Sequence, residues 1–273
     1  MKQIEKELQD LRYLEWTKTR HSSGTAGSFL KSFENSRGKR IYYKLSNFDS
    51  IQGIVGHECI NEILADRLLT ILNIEHVPYR LIHAKIQIRG IEYETYLCAS
   101  EDFKKKGESK IALDAFYDME AEIGERPLDF CIRMGWGDYI WEMLTIDYLI
   151  QNRDRHGANI EVLRSKKEKT IRLAPLFDHG LSFVFSSYND AMLEEARSMK
   201  ESKIQCFVGT SSAKENLNLI PMDKLKKLPV FDEKIRQILF DGFEGIVTEK
   251  WMDIVWSQLT SRVKIYEDIC NNR

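Results

Sequence analysis

The stretch QNRDRHGANIEVL, Gln151 to Leu163, puts an acid, two guanidiniums, an imidazole and an amide into one short run. Asp154 is flanked by Arg153 and Arg155, His156 follows, and Asn159 lies five residues after Asp154. A carboxylate can take a proton from a hydroxyl, and an amide oxygen can bind a hard cation. A loop of this length lets the first face a nucleophile while the second turns back to a metal. Asp178 follows in LAPLFDHGLSF, ahead of His179 and Gly180, and adds a second hard oxygen ligand. Mg²⁺ takes few such ligands from protein and completes its shell with phosphate oxygens. The plain alternative is a polar loop capping a helix end.

Phosphoryl transfer also needs a backbone cradle and a cation for the phosphates. Arg-Asp followed by four residues and Asn is the spacing of the protein-kinase catalytic loop, and Asp-His-Gly resembles the metal-binding Asp-Phe-Gly of those enzymes. SSGTAGSFLK, Ser22 to Lys31, offers the cradle, with Gly24, Thr25, Ala26 and Gly27 at its centre. Its glycines let backbone approach an anion closely. It is neither a Walker A loop nor a full GxGxxG run. Lys44, at the end of IYYKLS, is the expected phosphate cation, with a snorkelling strand lysine as the alternative. Glu58 and Glu62, one helical turn apart, both qualify as its partner, and the apolar pattern favours Glu62. Asp147, inside an apolar helix, needs a buried partner, which Arg153 or Arg155 can supply. His156 and His179 lie in no HxxxH or HExxH arrangement, so zinc is not indicated and both are assigned supporting roles. No GxSxG or Cys-His constellation supports a hydrolase.

The elements that must carry these residues divide the chain. Residues 4–16 have apolar spacing that predicts a short amphipathic helix. A hairpin is expected around Gly38, with Tyr43 and Leu45 on one face and Tyr42 and Lys44 on the other. HECINEILADRLLTILN, 57–73, predicts a helix with one buried stripe, and YRLIHAKIQI and IEYETYLCAS predict two strands joined at Arg89-Gly90. This describes a small antiparallel-sheet lobe with one main helix over 1–100. The charged run at 101–110 reads as a linker, and 111–273 as a larger, mostly helical lobe. There, 137–152 is apolar on nearly all sides and predicts a buried helix. NIEVL and TIRLAPLFD predict two strands, the second ending at Asp178. Beyond residue 230, Trp251, Val255, Leu259, Val263 and Ile265 are spaced for one core face. The expected fold is α+β.

The totals agree with a globular enzyme. The 273 residues are 43% hydrophobic and 30% charged, with net charge −2, so no global basic field argues for nucleic acid. The basic clusters near 104–110 and 164–172 read as solvated turns. Five dispersed cysteines, with Cys59 and Cys98 among apolar neighbours, suit a reducing cytoplasm and no zinc. No signal-peptide run or membrane span of about 18 apolar residues is present, so no membrane association is expected.

Together, Lys44, the Asn61-Glu62 pair opening an apolar helix that ends near HVPY, the NRDRHGAN loop and LAPLFD resemble the HipA-like serine/threonine kinases over residues 20 to 220. The resemblance implies a bilobed protein-kinase-like fold, ATP and Mg²⁺ as cofactors, and a protein substrate phosphorylated on Ser or Thr. It implies Asp154 as base, Asn159 and Asp178 as Mg²⁺ ligands and Lys44 as phosphate ligand, with Glu62 and His156 beside the nucleotide. CASEDF, with Ser100, Glu101 and Phe103, becomes the adenine-binding hinge. Ser22, Ser23 and Ser28 become autophosphorylation candidates, and 181–220 takes the place of an activation segment. An antitoxin partner belongs to the same implication, although the early position of Lys44 implies that the extra N-terminal subdomain of full-length HipA toxins is missing. A cytoplasmic location, or export by a route without a signal peptide, follows. A small-molecule kinase of the aminoglycoside or lipid type, and an inactive kinase fold that only binds a partner, are the alternative readings. The kinase reading requires Asp154, Asn159 and Asp178 to converge in one cleft facing Lys44.

Overall fold

The computed structural model describes residues 3–17, 29–36, 38–187, 189–197 and 201–272. The first strand, β1 (Ile4–Asp10), is followed by the hairpin β2 (Lys31–Ser36) and β3 (Lys39–Lys44). A two-residue ribbon, β4 (Phe48–Asp49) and β5 (Gly53–Ile54), leads into helix α1 (Glu58–Ile71). Strands β6 (Arg80–Ile88) and β7 (Ile91–Glu101) complete a five-stranded sheet of order β1-β6-β7-β3-β2. All its pairings are antiparallel except β1 with β6.

Strand alternation sorts this sheet into two faces. Tyr43, Leu45, Ile82, Ala84, Ile86, Leu97 and Ala99 bury on one side with Leu11, Leu14 and Leu30. Leu81 and Cys98 bury on the other, against α1. Lys44 pairs with Cys98 across β3 and β7, so it emerges on the α1 side. The register thus sends the one lysine of this strand end into a partly buried space between sheet and helix.

The rest of the chain is mostly helical. After β8 (Glu108–Ala112) come α2 (Leu113–Glu120), α3 (Pro127–Arg133) and α4 (Gly137–Ile150). A short β9 (Asp154–Arg155) precedes the hairpin β10 (Glu161–Ser165) and β11 (Thr170–Leu173), and β8 adds to β10 as a third strand. Then follow α5 (Asp190–Arg197), β12 (Gln205–Cys206), α6 (Ala213–Asn216), α7 (Glu233–Phe240) and α8 (Glu249–Asn272). Helix α4 is the buried axis of this part, with Met143 to Ile150 all buried, and α1, α4 and α8 contribute to one continuous core. Among the described residues no helix is long and apolar enough to cross a membrane.

Several expectations need correction. Residues 4–10 form a strand, not a helix. Leu8, which the helical spacing would bury, is 49% exposed. The segment is held as an edge strand by backbone bonds, Leu81 N–H to Gln3 O and Leu11 N–H to Lys85 O, and by the Glu5–Arg80 ion pair at 2.5 Å. An edge strand needs little burial, so its sequence carries no clear alternation. Helix α1 buries every residue from Glu58 to Leu69 rather than one stripe, because the sheet covers one side and the helical part the other. β8 begins inside the expected linker, at Glu108, and takes its last three residues. On α8 the last core position is Tyr266, and Ile265 is only partly buried. Asp178 does not end a strand: β11 stops at Leu173, and a single parallel bridge, His76 to Leu176, guides the chain onward.

Candidate active site

Lys44 sits between two carboxylates. Its Nζ donates to Glu62 Oε1 at 2.9 Å and to Asp178 Oδ1. Glu58, the other acid considered for this role, instead accepts from the Asn47 backbone N–H at 3.2 Å. Burial would release the Lys44 proton, but Asp178 and Glu62 overcome it and hold the ammonium well above the ordinary lysine range. Burial raises the Glu62 carboxyl against the pull of Lys44.

Glu62 does more than pair. Its second oxygen accepts from the His179 backbone N–H at 2.9 Å, so one carboxylate joins β3, α1 and the Asp-His-Gly turn. Next to it, Asn61 Nδ2 donates to Gly180 O and Ser182 O. The turn must come close to α1 for this. A Cβ on Gly180 would lie 3.2 Å from Glu58 Cβ and 3.4 Å from the Glu58 carbonyl oxygen, so glycine is what the approach tolerates best. Asp178 itself has φ +59°, a left-handed conformation that Asp adopts more readily than most residues.

A second lysine shares the space. Lys31 is the direct cross-strand neighbour of Lys44 in the hairpin, and its Nζ lies 4.0 Å from Asp178 Oδ2. Like charges opposite one another destabilise a sheet. Here the Asp178 carboxylate lies against both cations.

The residues of the Asp154 loop are fixed from below. Asp147, on α4, accepts from Arg155 Nε and Nη2 at 2.8 and 2.9 Å and from Asn152 Nδ2 at 2.9 Å. Arg155 Nη1 then donates to Asn159 O and Phe177 O at 3.2 and 2.8 Å. The Arg153 N–H donates to Leu181 O at 3.0 Å. Asp154 is thus tied at both neighbours, 153 and 155, to residues 181 and 177 on either side of Asp178. The 181 tie is backbone to backbone, and the 177 tie runs through the Arg155 guanidinium. Asn159 uses its amide nitrogen, at 2.7 Å, on the Asp154 carbonyl. Asn152 Oδ1 accepts the Asp154 N–H at 3.2 Å. Gly157 completes the loop: a Cβ there would fall 2.6 Å from Asp114 Cβ and 2.9 Å from its backbone nitrogen. The loop packs directly on the start of α2.

His156 caps the 3₁₀ turn 157–159 through Nδ1, which accepts the Ala158 N–H at 3.2 Å, and its Nε2 lies 3.5 Å from Asp154 Oδ1. His179 is buried beside Glu62. Segment 204–207 runs along the loop, with Gln205 N–H on Arg153 O and Phe207 N–H on Arg155 O.

Above these groups opens a cavity of about 570 Å³ lined by Tyr42, Lys44, Val77, Tyr79, Phe103, Phe177 and Asp178, with Lys31, Lys104 and Lys110 adding positive charge. Ser100, Glu101 and Phe103 line it as well. The β6 register with β7 ends at Arg80–Ala99, while β3 continues to pair through Ser100 and Glu101. One edge of β7 beyond Ala99 therefore lies past β6, at the cavity. Phe103 and Phe177 rings stand 5.6 Å apart, and the Lys110 ammonium is 3.9 Å from the Phe103 centroid. Among the described lining residues Asp154, Asn159 and His156 do not appear. Gly24, Thr25, Ala26, Gly27, Ser22, Ser23 and Ser28 lie outside the described residues.

Sequence reasoning did not single out Lys31, Tyr79, Phe177 or Asn152. Tyr79, whose hydroxyl accepts the Asp178 N–H at 3.4 Å, follows Pro78 with no signal of its own. Lys31 carried one signal, its pairing position opposite Lys44 across the Gly38 turn.

The donor set suits Mg²⁺ with a phosphate ligand. Among the described residues no group of three or more His, Cys, Asp or Glu could cage a metal. Hard oxygens in small number, beside several lysines, leave a cation dependent on ligand oxygens for its shell.

No protein-family model matches the chain, and no curated protein does. Among solved structures, a Helicobacter pylori proinflammatory kinase, CtkA, superposes with TM-score 0.69 at 16% identity, over 97% of this chain and 96% of that one. Shewanella oneidensis HipA, solved as a toxin–antitoxin complex with HipB and operator DNA, gives TM-score 0.50 at 14% identity over 92% of this chain. This chain spans 66% of that protein's length. The chain has the α+β fold of these two proteins, with the sheet and α1 above the cavity and the helical part below it.

Proposed function

We propose that this protein is a kinase that transfers the γ-phosphoryl group of ATP, with Mg²⁺, to Ser or Thr of a protein substrate. The observation that carries this reading is the Glu62–Lys44–Asp178 triad, whose Lys44 and Asp178 line a cavity of about 570 Å³, with the Asp154 loop tied to Phe177 through Arg155. The end-to-end likeness to a solved kinase supports it.

Each residue then has a role. Phe103, Phe177 and Tyr42 hold an aromatic base, and the β7 edge at Ser100 and Glu101 offers backbone to its rim. Lys44, with Lys31, binds phosphate oxygens, and Glu62 orients the ammonium. Asn159 and Asp178 would hold Mg²⁺, which when bound neutralises charge on the transferring phosphoryl group. Asp154 accepts the proton of the attacking hydroxyl, a contribution of roughly 10²–10⁴ in rate. Positioning and charge neutralisation supply the rest. Autophosphorylation at Ser22, Ser23 or Ser28 would add about −2 of charge beside the phosphates and lower activity. An antitoxin-type protein partner belongs to this reading as its regulator, by analogy with the Shewanella complex.

The test is transfer of label from γ-labelled ATP into a cell lysate. Label entering protein, and lost in Asp154→Ala and Asp178→Ala, is expected. Label entering only extractable small molecules contradicts the protein substrate. Absence of any transfer or nucleotide binding contradicts the kinase.

A further inference from the structure

Two basic runs that are far apart in the sequence meet in the fold. In the antiparallel sheet of β8, β10 and β11, Glu108 pairs with Ser165 and Ser165 pairs with Thr170. The turn ahead of β8 and the turn joining β10 to β11 therefore lie at the same end of the sheet. One carboxylate ties them there. Glu108 accepts from Arg172 Nε and Nη2 at 2.9 and 3.0 Å and from the Lys105 backbone N–H at 2.8 Å. Lys104, Lys105 and Lys106 stand exposed on the first turn, and Lys166, Lys167 and Lys169 on the second.

The charge at this end is left uncompensated. The whole chain carries −2, yet in these two turns the lysines face a single exposed acid, Glu168. Among the described residues, the ion pairs of the two runs are those of Lys110 with Asp102 and Glu161, and of Arg172 with Glu108. None of the six exposed ammonium groups has one. Elsewhere on the surface, Lys39 meets Glu101 at 2.6 Å and Lys224 meets Asp138 at 2.8 Å. A cluster of one sign, fixed by the fold and lacking its own counter-charges, attracts an anionic partner.

The surroundings of the patch select the occupant. β11 is the outer strand of its sheet, and among the described residues no strand pairs with its far side. Thr170 and Ile171 are exposed there, Ile171 at 40%. An open edge offers backbone N–H and C=O groups to an extended peptide. A second copy of this chain would bring lysine against lysine, which is how edges are kept from pairing with themselves. Single-stranded nucleic acid is held by aromatic faces on which bases stack, and neither 104–110 nor 164–172 contains an aromatic residue. We propose that this end of the sheet docks an extended, acidic segment of a partner protein, added as a strand along β11 with its carboxylates on the lysines. The patch borders the cavity, which Lys104 lines, but contains none of the residues given a role in phosphoryl transfer. The docking therefore does not rest on the kinase reading.

The experiment measures fluorescence anisotropy of a labelled peptide of alternating Glu and Thr on the full chain, without nucleotide. Its controls are the matching Gln–Thr peptide, the Glu–Thr peptide with alternate backbone nitrogens methylated, and an oligothymidylate of equal charge. The Glu–Thr peptide should bind about tenfold more tightly than each control, and more weakly as salt rises. The variant carrying Lys166→Glu, Lys167→Glu and Lys169→Glu should lose about tenfold in affinity for it while melting at the parent's Tm. The peptide controls act on the parent chain, so the test stands even where that variant does not fold. Equal binding of the Glu–Thr and Gln–Thr peptides, or undiminished binding by the folded variant, overturns the docking site. Equal binding of the methylated peptide overturns strand addition along β11. Oligothymidylate binding as tightly as the Glu–Thr peptide overturns the protein partner. Failure of docking with the ATP-dependent thermal shift intact leaves the kinase reading standing. Docking without that shift leaves the patch standing and removes the kinase reading.

Discussion

Lys44 and Arg155 each meet buried carboxylates, and the two arrangements are built differently. On the sheet side, Lys44 meets Glu62 and Asp178 as a point charge, with 12% of its side chain still open toward the cavity. On the helical side, Arg155 meets Asp147 through a two-pronged contact, at 1% and 5% exposure, with Asn152 on a further lone pair. Burial opposes the Arg155 charge, but Asp147 holds it firmly protonated. The Arg–Asp pair has fixed directions and no room for a new partner, which suits a scaffold. The lysine can turn toward an incoming anion while Glu62 keeps hold of it, which suits a binding site. Similar charges thus separate into structure and chemistry by geometry alone.

The largest break in this comparison should come from Asp147→Ala. It strands the Arg155 guanidinium in the core, where an unpaired buried charge costs about 3–5 kcal/mol. Urea unfolding should show a loss of that size, with transfer activity lost too because Asp154 and Asp178 are tied through Arg155. Gly157→Ala comes next: the new Cβ meets Asp114 backbone, and overpacking of this kind costs about 1–3 kcal/mol. Glu62→Gln sharpens the contrast. Asp178 still pairs with Lys44, so stability should fall by only about 1 kcal/mol, while kcat/KM for ATP falls at least tenfold. A loss in unfolding free energy equal to that of Asp147→Ala would erase the distinction between the two pairs.

A gradual effect, spread over a pH range, comes from His57. Burial lowers the His57 imidazole from 6.5 to about 4. The unfolded chain then binds a proton that the folded chain refuses, so stability is present above about 6.5 and declines as pH falls toward 4. The full difference is about 3 kcal/mol. His57→Gln should flatten the unfolding free energy between pH 6.5 and 4 relative to the parent, and an unchanged slope contradicts it.

The sequence was readable where chemistry demanded particular side chains at particular separations. The sequence placed Lys44 and Asp178 together, and they are in contact; alternation across Tyr42, Tyr43, Lys44 and Leu45 gave the faces of β3 correctly. It was not readable where tertiary context decided. Residues 4–10 became a strand because β6 offered an open edge, not because of their own pattern. Helix α1 lost its polar side because the two halves of the fold enclose it. The ties from the Arg155 guanidinium to Phe177 O and from Arg153 N–H to Leu181 O end on backbone carbonyls that no residue type announces, although the acid at 147 did signal a buried partner. Lys31 was in view as part of a loop, but its pairing with Lys44 depends on the register set by the Gly38 turn.

The most direct measurement is thermal stabilisation by ATP with and without Mg²⁺, on the parent chain and on Asp178→Ala. The account predicts that ATP raises the parent's Tm, that Mg²⁺ raises it further, and that Asp178→Ala loses the Mg²⁺-dependent part while remaining folded. An unaltered Mg²⁺ effect in Asp178→Ala, or no response of the parent to ATP, would contradict it.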